Sequence, residues 1–208
     1  MSRGAYPQQG LALPSLMVML TLASLATLLA LRNLWVNDQL LNAEADHLRT
    51  QLKAEAALAV ARLDISAPLT ADNVLRHTPG SSTHTHAFFP TSLTDYTTLQ
   101  QRLGTSGCSS GICAPNDLNG INKLASHWQG QIATAMPVSA ADTPYGEHTA
   151  WYWVEVFPLA DSDAFVYRIT TLANGVLPGS STVLQAIWTR SSPASPSGVW
   201  HSWHVLHK

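Results

Sequence analysis

Leu11 to Leu31, LALPSLMVMLTLASLATLLAL, is apolar around every side of any helix it forms and contains no charged residue. Twenty-one residues at 1.5 Å rise make about 31 Å of helix, the hydrocarbon thickness of a bilayer. From Asn33 to about Ile65 there is no Gly or Pro, and helix formers dominate. Leu41, Ala45, Leu48, Leu52, Ala56, Ala59 and Leu63 recur at steps of three and four, an apolar stripe on one side of a helix. Asp38, Glu44, His47, Arg49, Gln51, Lys53 and Arg62 lie off that stripe. The pattern predicts one rod of about 50–55 residues, roughly 80 Å long, whose stripe packs against whatever follows. Ser66-Ala67-Pro68 ends it, because a residue before proline is steered out of helix.

The middle of the chain is less periodic. A turn is expected at Pro79-Gly80 within the loop His77–His84, and short helices over Thr91–Leu103 (starting near Thr94 or Asp95) and Ile121–Gln131. The last third changes period. Thr149–Phe157, Ala164–Thr171 and Thr182–Thr189 are β-branched and aromatic runs separated by turn chemistry, which predicts an antiparallel meander. In the first run Tyr152, Val154 and Val156 alternate with Trp151, Trp153 and Glu155. SSPASPSG then reads as a linker to a tail, VWHSWHVLHK. The expected architecture is α+β: a long N-terminal helix on a small antiparallel sheet. It divides into a leader (1–10), a membrane half of the helix (11–31), an amphipathic half (32–65), a head (66–190) and a tail (191–208).

Composition narrows the function classes. The formal net charge is −2 and the pI about 6.5, which argues against nucleic-acid binding. Only 12 % of residues are charged, fewer than usual in a soluble domain. Cys108 and Cys113 are separated by small, flexible residues and form the only cysteine pair. In an exported chain such a pair is expected as a disulfide that pins a loop. Zinc is the rival, without a second CxxC or a histidine in the loop to serve it. Arg3 precedes the apolar run and Arg32 follows it, so charge asymmetry is weak. The short leader and the expected disulfide place the N-terminus in the cytoplasm and the head outside. No cysteine near the leader supports a lipoprotein.

The order of these features resembles a type IV pilin or pseudopilin: Gly10, a hydrophobic run, a rod helix and a β-rich head. Asn42-x-x-x-Asp46, then Glu55 within Ala54–Leu58, is similar to the N-terminal region of PilX-type minor pilins. Gly111-Ile-Cys113, Tyr167–Thr170 and Val183–Gln185 resemble that group's closing elements. The likeness spans residues 8–63 and about 108–190. It implies cleavage between Gly10 and Leu11 by a prepilin peptidase and N-methylation of Leu11. It also implies an inner-membrane stage with a cytoplasmic N-terminus and a periplasmic head, then a place in the pilus at the cell surface. The implied partners are the major pilin, other minor pilins and the inner-membrane assembly machinery; the implied work is assembly, adhesion or motility, without catalysis or a cofactor.

One departure refines that expectation. Type IV major pilins carry a glutamate at the fifth mature position, where this chain has Ser15. A carboxylate paired with a neighbour's ammonium in hydrocarbon is worth several kcal/mol more than a hydroxyl. Pro14 is tolerated in a first helical turn. Pro14 and Ser15 are therefore the candidate filament-interface residues, suited to a subunit at an end, as in type II secretion tip pseudopilins. A tethered periplasmic enzyme or binding protein is the rival from another class.

Other chemistry is thinner. His84-x-His86 and His201-x-x-His204-x-x-His207 suggest metal ligands, the second set by alignment on a helical face, but no carboxylate accompanies it. Asn116–Gly120 lacks the ligand spacing of a calcium loop. No metalloprotease, P-loop, dinucleotide or nucleophile-elbow motif occurs. Seven tryptophans, among them Trp151, Trp153, Trp200 and Trp203, could line a glycan-binding surface but suit a sheet core or subunit interface better.

Overall fold

The computed structural model describes residues 12–66, 74–78, 86–104, 107–114, 125–143, 149–159, 164–190 and 197–207. It is α+β, with a long apolar N-terminal helix and a mainly antiparallel sheet. The first helix, α1, runs Ala12–Ser66, ending where the proline signal predicts. The chain divides into two units, Met1–Glu44 and Ala45–Lys208.

In the first unit α1 is exposed on all sides. Leu13, Met19, Leu25, Leu34 and Trp35 are each more than half exposed. The hydroxyls of Thr21, Ser24 and Thr27 donate to the carbonyls of Val18, Leu20 and Ala23 at 2.8–2.9 Å. Each polar side chain is thereby satisfied by its own helix, which a hydrocarbon surround demands. Helix α1 is long and apolar enough to cross a membrane.

Among the described residues, the second unit holds the rest of α1, three further α-helices, two 3-10 turns and seven strands. The helices are α2 (Val74–His77), α3 (Leu93–Leu103) and α4 (Ala125–Gly130). Ser92 caps α3, its Oγ accepting from the Asp95 N–H; part of the Ile121–Gln131 expectation lies outside the described residues. The strands are β1 (Cys108–Ser109), β2 (Ile112–Cys113), β3 (Met136–Pro137), β4 (Ala150–Pro158), β5 (Phe165–Asn174), β6 (Ser181–Arg190) and β7 (Gly198–His207). The expected meander is β4–β5–β6, antiparallel throughout. Both β2, in parallel, and β3, antiparallel, pair with β4 on the side away from β5.

The segment expected as a tail is a strand. Ten-residue β7 pairs antiparallel with β6 and forms the sheet's far edge. Two bulges hide its alternation. His201 is the extra residue between Trp200, opposite Trp188, and Ser202, opposite Ile187; Leu206 is extra at the other end. Gly198 opens the strand against the Trp188 ring, where an added Cβ would collide.

The face of α1 that packs on the sheet differs from the expected stripe. Asp46, Thr50, Lys53, Ala54, Ala57, Leu58, Ala61 and Ile65 are buried, whereas Leu48, Leu52 and Leu63 are 52 %, 47 % and 55 % exposed. Size explains the choice. Ala54, Ala57 and Ala61 bring the helix backbone close to the sheet, so that Thr171 Oγ1 donates to the Ala54 carbonyl at 3.1 Å. The volume is filled from the sheet side by Tyr152, Tyr167, Ile169, Leu184 and Trp188, and from above by Phe88, Phe89 and Leu99. Leucines in place of these three alanines would push the layers apart. The opposite sheet face packs Trp153, Leu172 and Val183 against Trp128 of α4 and Cys113.

Candidate functional site

Four features of the head carry chemistry beyond packing, and each is assembled from separate elements. The first is the disulfide loop. Cys108 and Cys113 are bonded to each other across the β1–β2 hairpin, whose turn residues Ser110 (φ 49°) and Gly111 (φ 76°) are both left-handed. Two such residues make the tight turn whose twist matches the strands. A Cβ on Gly111 would fall 2.7 Å from Met136 Cβ and 2.9 Å from the Tyr152 carbonyl. Gly111 is thus required both by its conformation and by the close approach of β4.

The second is a polar node that ties α1 to this hairpin. Asp64 on α1 accepts from Arg76 Nε at 2.9–3.0 Å, from Arg76 Nη2 at 2.6 Å and from the Tyr152 hydroxyl at 2.7 Å. Arg76 Nη1 reaches the Ser110 carbonyl at 2.8 Å, and its guanidinium lies over Phe89. Burial, with the Asp64 carboxylate beside it, pushes the Tyr152 phenol well above its ordinary value. His77 Nε2 meets the Asp64 carbonyl at 2.8 Å, and burial lowers that imidazole's pKa. The Asp64 carboxylate, the Arg76 guanidinium and the Tyr152 hydroxyl are engaged with one another, so the node fixes α1 against the hairpin.

The third is a clamp on the β5–β6 turn. Buried Asp46 accepts from the Val176 N–H at 2.8 Å and the Leu177 N–H at 3.2 Å. Burial opposes its charge, but those N–H groups, the Ser180 hydroxyl and the Lys53 ammonium outweigh it and hold the carboxyl below its ordinary value. A side chain on Gly175 would strike this carboxylate. Across the sheet, Glu155 and Arg168 form a buried two-bonded ion pair in register between β4 and β5, with Arg168 over Phe157.

The fourth feature is open. Trp200 and Trp203 of β7 face Glu55, Leu58, Ala59 and Arg62 of α1 across a groove of 570 Å³. In a regular strand, residues three apart point to opposite faces. The bulge at His201 restores one face to both indoles, opposite Trp188 and Ala186. The same bulge, and the strand itself, remove the helical alignment of His201, His204 and His207. No group of three metal-ligating side chains occurs among the described residues.

The sequence-derived residues fall as follows. Cys108 and Cys113 come together as expected. Pro14 and Ser15 lie in the first turns of α1, both exposed. Gly10, Leu11, His84 and Asn116–Gly120 lie outside the described residues. Sequence reasoning missed the Asp64–Arg76–Tyr152 node and the Asp46 clamp, which carry no local signal. It weighed Trp200 and Trp203 as a glycan-binding surface and favoured core or interface packing, whereas they are 41 % and 47 % exposed.

No family model, no curated protein and no solved structure matches the chain.

Proposed function

We propose that this chain is a minor type IV pilin, a prepilin cleaved between Gly10 and Leu11, methylated on Leu11 and delivered from the inner membrane to an end of a pilus. The observation that carries this reading is the placement of the uncharged run. It begins directly behind Gly10 and belongs to the same helix, α1, whose later half bears the α+β head. A simple tether has no need of helical continuity into the head. The subunit works by binding its neighbours and has no catalytic step of its own. Its apolar helix is held in the bilayer and then among other pilin helices, and the outward leucines Leu48, Leu52 and Leu63 meet adjacent subunits. Adhesion or motility follows from what the exposed head presents.

The test is the N-terminus of the mature protein, read by mass spectrometry from cells with and without prepilin peptidase. A mature chain starting at N-methylated Leu11, made only with the peptidase, is expected. An intact leader in both, or a start beyond about residue 25 as a signal peptide would give, contradicts the reading.

Ser15 favours one neighbouring possibility, a type II secretion tip pseudopilin. In either assembly Ser15 suits a subunit that lacks a charged partner in the layer beyond it. Ser15→Glu is expected to let the subunit enter the shaft, seen as immunogold label along filaments instead of at ends. An unchanged distribution contradicts the end position.

A further inference from the structure

We propose that the groove between α1 and β7 binds a short saccharide, with the Trp200 and Trp203 indoles as its platform. The claim does not depend on membership of a filament. Both indoles are large apolar surfaces left 41 % and 47 % exposed at the sheet edge, although buried aromatic neighbours are at hand. Trp200 is braced by the buried ring of Trp188, centroids 6.4 Å apart and planes at 55°. Gly198 and the His201 bulge are what let β7 present both rings to one side. The platform is built by specific backbone devices.

The groove's 570 Å³ falls within the roughly 300–1,000 Å³ of small-molecule sites. Chemistry then selects the class. One wall is aromatic, with Leu58 and Ala59 opposite. At its two ends Glu55 and Arg62 lie on the same face of α1, seven residues and thus roughly 10 Å apart. Gln51 Nε2 donates to Glu55 Oε1 at 2.9 Å and fixes that carboxylate on the helix surface.

A pyranose ring matches this arrangement from both sides. Its axial C–H face lies on an indole, where the electron-rich ring attracts the polarised hydrogens. Its equatorial hydroxyls point outward in the ring plane and both donate and accept, which serves a carboxylate at one end and a guanidinium at the other. Trp200 and Trp203 oppose β6 residues two positions apart, about 7 Å along the strand, so neighbouring rings of one glycan each find an indole. A proline-rich peptide also stacks on tryptophan. It offers carbonyl acceptors to Arg62 but few donors to Glu55, and the saccharide is therefore favoured.

The experiment uses the full chain in nanodiscs, avoiding glycoside detergents that would compete. Maltotriose, cellotriose and triacetylchitotriose are titrated to about 10 mM, with saturation-transfer NMR and tryptophan fluorescence as readouts, alongside a proline-rich decapeptide. At least one trisaccharide is expected to bind with Kd of about 0.1–1 mM. Trp203→Ala and Arg62→Ala each weaken it about tenfold or more, while Trp203→Phe, which keeps an aromatic face and guards against misfolding, retains most of it. Absence of binding by all three sugars overturns the proposal. Binding unchanged in Trp203→Ala and Arg62→Ala, or binding of the decapeptide alone, also overturns it.

Discussion

The two parts of α1 use leucine in opposite ways. Before Glu44 leucine is exposed on every side, and the helix has no inner face at all. After Ala45 an inner face exists, held mainly by alanines and polar anchors with Leu58 and Ile65, while Leu48, Leu52 and Leu63 remain outside. The contrast teaches that an apolar stripe need not mark the core side of a helix. Where a sheet brings large side chains, the helix contributes closeness and the leucines are left for something else. The first part is long and apolar enough to cross a membrane; on the proposed reading, other subunits cover the second.

Four substitutions test that contrast. Leu25→Arg, in the part with no inner face, should raise the cost of membrane insertion by about 3 kcal/mol. The check is the fraction of protein that resists alkaline extraction from membranes, which should fall; no change would deny that this part lies in hydrocarbon. Ala57→Leu, on the inner face, should overpack the helix–sheet contact and destabilise the head by about 1–3 kcal/mol, measured by urea unfolding. Asp46→Asn should cost about 1–2 kcal/mol through the weakened turn clamp, and its cost should depend on pH. The folded Asp46 carboxyl titrates below its ordinary value of 3.8, so its contribution is complete above that value and is lost as pH falls through the lower folded one. Wild type should therefore weaken more steeply than the variant on acidification below about pH 4, and parallel acid limbs would refute the clamp. Leu52→Gln, on the outward face, should change head stability by no more than about 0.5 kcal/mol.

Much of this was readable in the sequence where the signal is local. The end of α1 follows from Pro68, and the β4–β5–β6 meander from β-branched runs with turns between them. The cysteine pair was recognisable from its spacing. The orientation of α1 was not, because periodicity weighs large residues and ignores the close approach that Ala54, Ala57 and Ala61 permit. Strand β7 was not, because its bulges at His201 and Leu206 erase alternation and a Ser/Pro stretch precedes it. The Asp64–Arg76–Tyr152 node was not, because its residues are brought together only by the fold. The placing of Trp200 and Trp203 on one side, facing α1, needs strand β7 and its bulge at His201.

The outward leucine face is the claim on which the assembly reading turns, and cysteine cross-linking tests it most directly. Cys108 and Cys113 are bonded to each other, so an introduced thiol reports alone. Leu52→Cys and Ala57→Cys variants are oxidised in intact membranes and resolved without reductant. Leu52→Cys is predicted to form a covalent species with a second subunit, and Ala57→Cys to stay monomeric. Cross-linking at position 57 with none at 52 would contradict the account.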